Sequence, residues 1–154
     1  MTAMRTREPK SLNFLFLSLF ILFLDQLTKY LARHYLTSPF ILIPDFLSLR
    51  FSVNTGAAFS ILQGQNLLLA WFGVIVIGVL LYFYEDFPLN YRLPVQLLII
   101  GIIGNTLDRF INGYVTDFIA FSFWPSFNIA DSVINIAVFY IIILMIKEEI
   151  SSRD

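Results

Sequence analysis

The chain has 154 residues, of which 58% are hydrophobic, 17% aromatic and only 14% charged, whereas soluble domains carry about 25% charged residues. This composition excludes an ordinary soluble domain, and the near balance of ten Lys and Arg against eleven Asp and Glu excludes the cationic surface that nucleic acid binding needs. Because the chain has no Cys and a single His, it can form neither disulfides nor a Cys or multi-His zinc site, and we expect no metal and no cofactor.

Four apolar segments predict four membrane-spanning helices. They cover residues 12–32, 67–84, 95–111 and 133–146. A helix of about 20 residues crosses the roughly 30 Å hydrocarbon core, and the shorter segments gain length from their polar ends. We therefore predict a membrane all-α fold with four transmembrane helices in a single domain, residues 1–154.

The N-terminus resembles the start of a secretory signal peptide, since Arg5, Arg7 and Lys10 precede the first apolar segment. No small-residue cleavage site follows that segment, and residues 25–29 are mostly polar. We therefore predict an uncleaved membrane anchor rather than a signal peptide that is removed.

The distribution of cations predicts the orientation in the membrane. Four crossings place both termini on one side, which holds more of the Lys and Arg residues and is therefore predicted to be cytoplasmic. The cations on that side are Arg5, Arg7, Lys10, Arg92, Lys147 and Arg153, against Lys29, Arg33, Arg50 and Arg109 on the other. The two longer connections, residues 33–66 and 112–130, then lie outside the cytoplasm, where we expect the functional site.

A strand pattern occurs within the first outer connection. Leu47, Leu49, Phe51 and Val53 alternate with polar residues, and this period of two predicts a strand over residues 47–54. Residues 40–43, which precede a Pro-Asp turn, are the expected partner strand. We therefore predict a small extracytoplasmic β-sheet between helices 1 and 2.

Local signals predict where the later helices begin. Pro94 suits the first turn of the third helix. Asn128 is a typical N-cap residue, and Asp131 at the third helical position places a carboxylate at the positive end of the helix dipole. Taken alone, Asn128 and Asp131 need no role beyond starting the fourth helix.

Antiparallel packing of the helices brings charged residues from distant parts of the chain to the outer boundary. They are Asp25 and Lys29 at the end of the first span, Asp108 and Arg109 at the end of the third, and Asp117 and Asp131 near the start of the fourth. Ionisable groups at membrane depth are costly unless they are paired or face water, so this cluster predicts a functional site.

Several of these charges also have a purely structural interpretation. Asp25 and Lys29, spaced i and i+4, can neutralise each other while Lys29 extends to the lipid headgroups. Asp117 can be a lone acid in an apolar outer loop. Against that interpretation, residues 118–124 are largely apolar and contain no cation to neutralise Asp117.

One face of the third span carries small residues followed by polar residues. Its residues recur at three- and four-residue intervals and are Gly101, Gly104, Asn105, Asp108 and Asn112. The glycines predict close packing against another helix, which by itself explains this face without any catalytic role.

Four blocks of residues, spanning 25 to 131, resemble the bacterial lipoprotein signal peptidase (signal peptidase II) family in their order along the chain. The blocks are Asp25-Gln26-x-Thr28-Lys29, Asn54-x-Gly56-Ala57-Ala58-Phe59-Ser60, Gly104-Asn105-x-x-Asp108-Arg109 with Gly113-x-Val115-x-Asp117-Phe118, and Phe127-Asn128-x-Ala130-Asp131. Two positions before the third block, Ile100 and Ile102, depart from the small residues of the family pattern, and the stretch between Asp117 and Asp131 looks shorter than in several relatives.

The resemblance implies an integral aspartic endopeptidase of the bacterial inner membrane, a multi-pass protein whose active site lies on the periplasmic side. Such an enzyme removes the signal peptide from diacylglyceryl-modified prolipoproteins by cutting N-terminal to the lipidated cysteine. The expected partners are those prolipoproteins and membrane lipids, with no nucleic acid and with the chain acting as a monomer. The implied site comprises the catalytic Asp117 and Asp131, the pocket residues Asn54, Asn105, Asp108, Arg109 and Asn128, and the supporting Asp25 and Lys29.

Two neighbouring carboxylates suit this chemistry because they cannot both stay ionised in a poorly hydrated site and therefore share a proton. The ionised one can activate water while the protonated one donates to the scissile carbonyl. The sequence does not assign the resting proton to either acid. The helix N-terminus favours an ionised Asp131, which makes Asp117 the preferred protonated member. Asn105 and Asn128 can donate amide hydrogens, and Arg109 either pairs with Asp108 or holds a substrate carbonyl.

Two other classes of protein stay open. A proton-coupled transporter also uses membrane acids, but it needs ionisable groups through the membrane depth, and the interiors of the second and fourth spans have none. A non-catalytic assembly factor can use the Gly101 and Gly104 face for packing, but it leaves Asp117 and Asp131 unexplained.

Overall fold

The structure is a computed structural model that describes residues 10–56 and 62–152, with side chains from Phe14 onward. Its elements in chain order are α1 (Lys10–Tyr35), β1 (Phe40–Ile43), β2 (Leu47–Asn54), α2 (Asn66–Tyr82), α3 (Leu89–Asn112), β3 (Val115–Phe121) and α4 (Ile129–Ser151). The terminal charges Arg5, Arg7 and Arg153, the Lys10 side chain and the block residues Ala57 to Ser60 lie outside the described residues.

Helix α3 is the centre of the fold, since α1, α2 and α4 all pack against it. Three helical segments, Phe14–Tyr35, Leu89–Asn112 and Ile129–Ser151, are long and apolar enough to cross a membrane. Helix α2 is also apolar but has 17 residues, a length of about 26 Å. The fourth crossing therefore stays a prediction.

The outer surfaces of the helices are apolar. Phe16 of α1, Ile75 of α2 and Phe139 of α4 are 73%, 62% and 67% exposed. Contiguous apolar surface of this kind is unfavourable in water and is expected where lipid surrounds the protein.

Glycines let α3 approach α4 and α1 closely. A Cβ atom on Gly101 would lie 2.5 Å from Ile134 Cγ1 and 2.8 Å from the Ala130 carbonyl oxygen. A Cβ atom on Gly104 would lie 2.6 Å from Asp25 Oδ2. The predicted small-residue packing face is thereby confirmed, and it fixes the start of α4 against α3.

The predicted position of Pro94 in the first turn of its helix was wrong. Helix α3 begins at Leu89 after the N-cap residue Pro88, so Pro94 is its sixth residue and is buried. The first turn is polar, and its Tyr91 hydroxyl donates to the Glu148 carboxylate of α4 at 2.8 Å. Hydropathy locates the apolar interior of a helix and therefore misses such a polar first turn.

The sheet is antiparallel with the strand order β1-β2-β3. The predicted strands over residues 40–43 and 47–54 are confirmed as β1 and β2. The third strand, β3, comes from the connection between α3 and α4 and was not predicted. Residues 115–118 of β3 are all buried, so this strand lacks the alternation that reveals a strand with one exposed face.

We predict that Gly101→Ala destabilises the protein by about 1–3 kcal/mol, because the new methyl group overlaps the Ala130 backbone and the Ile134 side chain. The measurement is thermal unfolding of the purified protein in detergent. Gly78→Ala in α2 is the matched control, since a Cβ atom there contacts nothing within 4 Å, and we expect no loss of stability. Equal melting temperatures for the two variants would contradict the packing described above.

Candidate active site

A buried lysine lies at the junction of α1 and α3. The Lys29 side chain is 0% exposed, and its Nζ lies 2.9 Å from Asp25 Oδ2 and 3.7 Å from Asp108 Oδ2. Nζ also donates to Asn105 Oδ1 at 2.9 Å. The predicted pair of Asp25 and Lys29 is confirmed, and the alternative that Lys29 extends to the lipid headgroups was wrong.

Asp25 connects this lysine to α4. Its Oδ1 accepts the backbone N–H of Ala130 at 2.8 Å, and this amide is one of those that a helix N-terminus leaves without an intrahelical partner. The Gln26 side chain donates to Asp25 Oδ2 at 3.0 Å and to the Gly104 carbonyl at 3.1 Å. Asp25 therefore fixes the backbone one residue before Asp131.

Asp108 anchors the beginning of β3. It is fully buried, and its carboxylate accepts the Thr116 backbone N–H at 2.8 Å and the Asn112 amide at 3.1 Å. The alternative that Asp108 pairs with Arg109 was wrong, because consecutive residues on a helix do not face the same side. The Asp108 carboxylate therefore positions Thr116, the residue before Asp117, in strand β3.

Arg33 adds a second cation at this anchor. Its Nη1 donates to Thr116 Oγ1 at 2.8 Å and to Asp108 Oδ1 at 3.3 Å. Arg33 was not predicted as a site residue, although its i+4 spacing from Lys29 puts both cations on one face of α1.

Two asparagines, Asn105 and Asn128, orient the carboxylates of Asp117 and Asp131. A lysine ammonium can only donate, so Asn105 must turn its Oδ1 toward Lys29 and its Nδ2 toward Asp131, where it donates to Oδ1 at 2.7 Å. Asn128 likewise accepts the Asp131 backbone N–H at 2.9 Å and donates through Nδ2 to Asp117 Oδ1 at 2.8 Å. Asn105 thus donates to Asp131, and Asn128 donates to both carboxylates, through Nδ2 to Asp117 and through its backbone N–H to Asp131.

The start of α4 is a capping box, which confirms the predicted roles of Asn128 and Asp131. While Asn128 accepts from the backbone of Asp131, the Asp131 Oδ2 accepts the Asn128 N–H at 3.2 Å. The structural interpretation of these residues therefore holds, and it also places the Asp131 carboxylate at the positive end of α4.

Asp117 lies in β3 opposite Ser52 of β2 and is 2% exposed. Its Oδ2 accepts the Asn54 amide at 3.0 Å, so both of its oxygens have one donor. Burial and the nearby charge of Asp131 raise the pKa of Asp117 to about 7, against the lowering effect of the hydrogen bonds from Asn54 and Asn128 and of the Lys29 charge.

Asp117 and Asp131 face the same cavity, which has a volume of about 530 Å³. The other predicted site residues that line it are Asn54, Asn105 and Arg109. Away from the acids, the wall is largely apolar and is formed by Leu69, Phe72, Val76, Ile102 and Ile134. Such a cavity suits an apolar ligand that carries one polar reacting group.

Arg109 brings a positive charge to the cavity wall. Its Nη2 donates to the Gly56 carbonyl at 2.8 Å and its Nη1 to the Asn105 carbonyl at 3.4 Å. The buried Nε–H has no hydrogen-bond partner within residues 10–56 and 62–152.

Comparisons with known proteins agree with the sequence blocks. A family model described as signal peptidase (SPase) II matches residues 17–147. Proteins named lipoprotein signal peptidase include one from Caldanaerobacter subterraneus subsp. tengcongensis that is 42% identical over 82% of this chain and 91% of that protein. Another, from Coxiella burnetii, is 37% identical over 91% of this chain and 93% of that protein.

Two solved structures share the fold. One, titled a bacterial membrane enzyme structure at 2.3 Å resolution, superposes with a TM-score of 0.82 at 33% identity and covers 89% of each chain. A second with the corresponding title at 1.9 Å has a TM-score of 0.78 at 33% identity, covering 88% of this chain and 93% of the other.

We predict that Lys29→Met destabilises the fold by about 3–5 kcal/mol, because it leaves the buried Asp25 and Asp108 without their shared cation. Lys147→Met on the exposed end of α4 is the control and is expected to change stability by less than about 0.5 kcal/mol. Thermal unfolding in detergent measures both, and a Lys29→Met protein as stable as the control would refute the central role of this cation.

Proposed function

This chain belongs to the signal peptidase II family, and we propose that it removes the signal peptide from diacylglyceryl-modified prolipoproteins with Asp117 and Asp131 as the catalytic pair. It is accordingly a multi-pass aspartic peptidase of the bacterial inner membrane rather than a proton-coupled transporter or an assembly factor. The observation that carries the assignment of the pair is that two acids from β3 and α4 face one cavity while Asn128 contacts both.

The surroundings of the two carboxylates support a division of roles. Each oxygen of Asp117 and Asp131 accepts one N–H, so the groups packed around the pair are donors. A proton on Asp117 consequently has no acceptor among these surrounding groups and points into the cavity. The positive end of α4 stabilises an ionised Asp131, which acts as the base.

Hydrolysis follows from this arrangement. Asp131 takes a proton from a water molecule as its oxygen attacks the scissile carbonyl carbon, while Asp117 donates its proton to the carbonyl oxygen. When the tetrahedral intermediate collapses, the C–N bond breaks and the proton held by Asp131 passes to the leaving nitrogen. One hydroxyl of the intermediate returns its proton to Asp117, which restores the acid. The products are a signal peptide with a new carboxyl group and a lipoprotein with a free amino group on its lipidated cysteine.

The cavity wall and the charge distribution support the substrate and the orientation. The apolar wall from α2, α3 and α4 suits an apolar signal peptide that reaches the acids from the lipid. Arg92 and Lys147 lie at the ends of α3 and α4 that are far from the acids along these helices. In a four-span topology the positive-inside rule then puts both termini in the cytoplasm and the active site at the periplasmic side.

We predict that Asp117→Asn and Asp131→Asn each lower cleavage by about 10³-fold or more, because each removes one proton-transfer group. The measurement is the gel shift of a diacylated prolipoprotein incubated with the purified variant. Asp45→Asn is the matched control, since Asp45 is an exposed turn residue with a φ of 56°, a conformation that Asn also tolerates.

Cleavage retained by both dyad variants, with Asp45→Asn unchanged, would rule out this catalytic pair. The substrate assignment has its own control, which is the same precursor without the diacylglyceryl group. Equal cleavage of lipidated and unlipidated precursor would rule out recognition of the lipid-modified form.

The pKa of Asp117 predicts the direction of the pH dependence. With a pKa of about 7, the carboxyl keeps its proton in more acidic solution and loses it as the pH rises through 7. We therefore expect kcat/KM to fall on the alkaline side, approaching about tenfold per pH unit. Because the Asn54 amide lowers the pKa of Asp117, Asn54→Leu should move this decline to higher pH. A decline that stays in place or moves to lower pH would contradict the assignment of Asp117 as the acid.

A further inference from the structure

The cavity contains a polar side chain that the catalytic mechanism does not use. Asn135 lines it and lies four residues after Asp131, on the same face of α4 and about 6 Å farther along the helix. Leu69, Phe72 and Val76 of α2 line the same cavity. Asn135 therefore presents an amide to a largely apolar wall within an apolar, membrane-length helix.

Nothing in the described structure satisfies this amide. The Asn135 side chain is exposed and makes no hydrogen bond within residues 10–56 and 62–152. A polar group at membrane depth without a partner costs free energy, and such residues characteristically face a ligand or a water-filled pathway. The amide offers both a donor and an acceptor, which is the combination that pairs with a peptide group.

The reaction itself creates peptide groups that need such a partner. A helical peptide engages its carbonyls in its own hydrogen bonds, so the chain around the scissile bond must be unwound before Asp117 can reach the carbonyl. The unwound N–H and C=O groups then lie in an apolar cavity, where each needs a new partner.

We propose that Asn135 binds the main chain of the signal peptide next to the scissile bond, accepting one peptide N–H and donating to one peptide C=O. Its place farther along α4 than the acids assigns it to residues on the N-terminal side of the bond, because that side is the apolar segment embedded in the membrane. This assignment rests on the proposed function, and it makes Asn135 a determinant of substrate binding rather than a catalytic residue.

The first test compares the kinetics of Asn135→Leu, which has a similar shape but no amide, with those of wild type on a diacylated lipopeptide. Loss of one or two hydrogen bonds should raise KM about three- to tenfold and change kcat by less than about twofold. Asn135→Gln keeps the amide and should recover most of the affinity. Ile136→Leu, an exposed position of α4 outside the cavity, is the control and should leave KM unchanged.

Thermal unfolding separates substrate binding from a structural role. Because the Asn135 amide bonds to no described residue, Asn135→Leu should melt at the same temperature as wild type or higher. A lower melting temperature, together with a KM that Asn135→Gln does not recover, would overturn the proposal in favour of a structural amide.

The second test identifies the group that Asn135 contacts. Lipopeptides are prepared with single N-methylated amides before the scissile bond, and one is prepared with ether-linked instead of ester-linked chains. If Asn135 binds the main chain, the KM difference between Asn135→Leu and wild type shrinks for one N-methylated substrate, which has lost the N–H that Asn135 accepts, and persists in full for the ether-linked one. The reverse result would overturn the proposal, since it assigns the amide to the lipid ester. Equal KM values for wild type and Asn135→Leu on every substrate would also overturn the proposal for Asn135. If the wild-type protein cleaves no lipidated substrate, the proposed function itself is rejected.

Discussion

The buried ammonium group of Lys29 is the interaction on which the geometry of the site depends. A cation removed from water must be surrounded by anions and acceptors, and here these are Asp25, Asp108 and Asn105. Asp25 links the lysine to the start of α4. The lysine also fixes the orientation of the Asn105 side chain, so that its Nδ2 faces Asp131. Lys29 thus orders both the fold and the site although it does not line the cavity.

Asp117 and Asp131 are held in place by different structural motifs, and both acids face one cavity. Asp131 belongs to a capping box, a local motif that positions the first turn of a helix. Asp117 belongs to a strand whose preceding residue, Thr116, is fixed by Asp108 and Arg33 of two other elements. Because the groups packed around both carboxylates are N–H donors, we propose that the one proton they share is directed toward the substrate. The same hydrogen bonds therefore stabilise the fold and orient the chemistry.

Local patterns in the sequence predicted the parts of the structure that depend on neighbouring residues. The alternation over 47–54, the cap at Asn128 and the glycine face of α3 are of this kind, and the four residue blocks identified the family. Strand β3 was missed because burial of consecutive residues removes the period of two. The partners of Asp108 and the contact of Arg33 with Thr116 depend on how α1, α3 and β3 meet, which no single segment encodes.

The proposed pairing of Asp117 and Asp131 is best tested by a crystal structure of the protein with a non-cleavable lipopeptide that carries a hydroxyl group in place of the scissile carbonyl. We expect one hydroxyl oxygen to lie within hydrogen-bond distance, about 2.5–3.2 Å, of a carboxylate oxygen from both Asp117 and Asp131. A bound ligand whose hydroxyl contacts neither acid, with no water oxygen shared by the two carboxylates, would contradict this pairing.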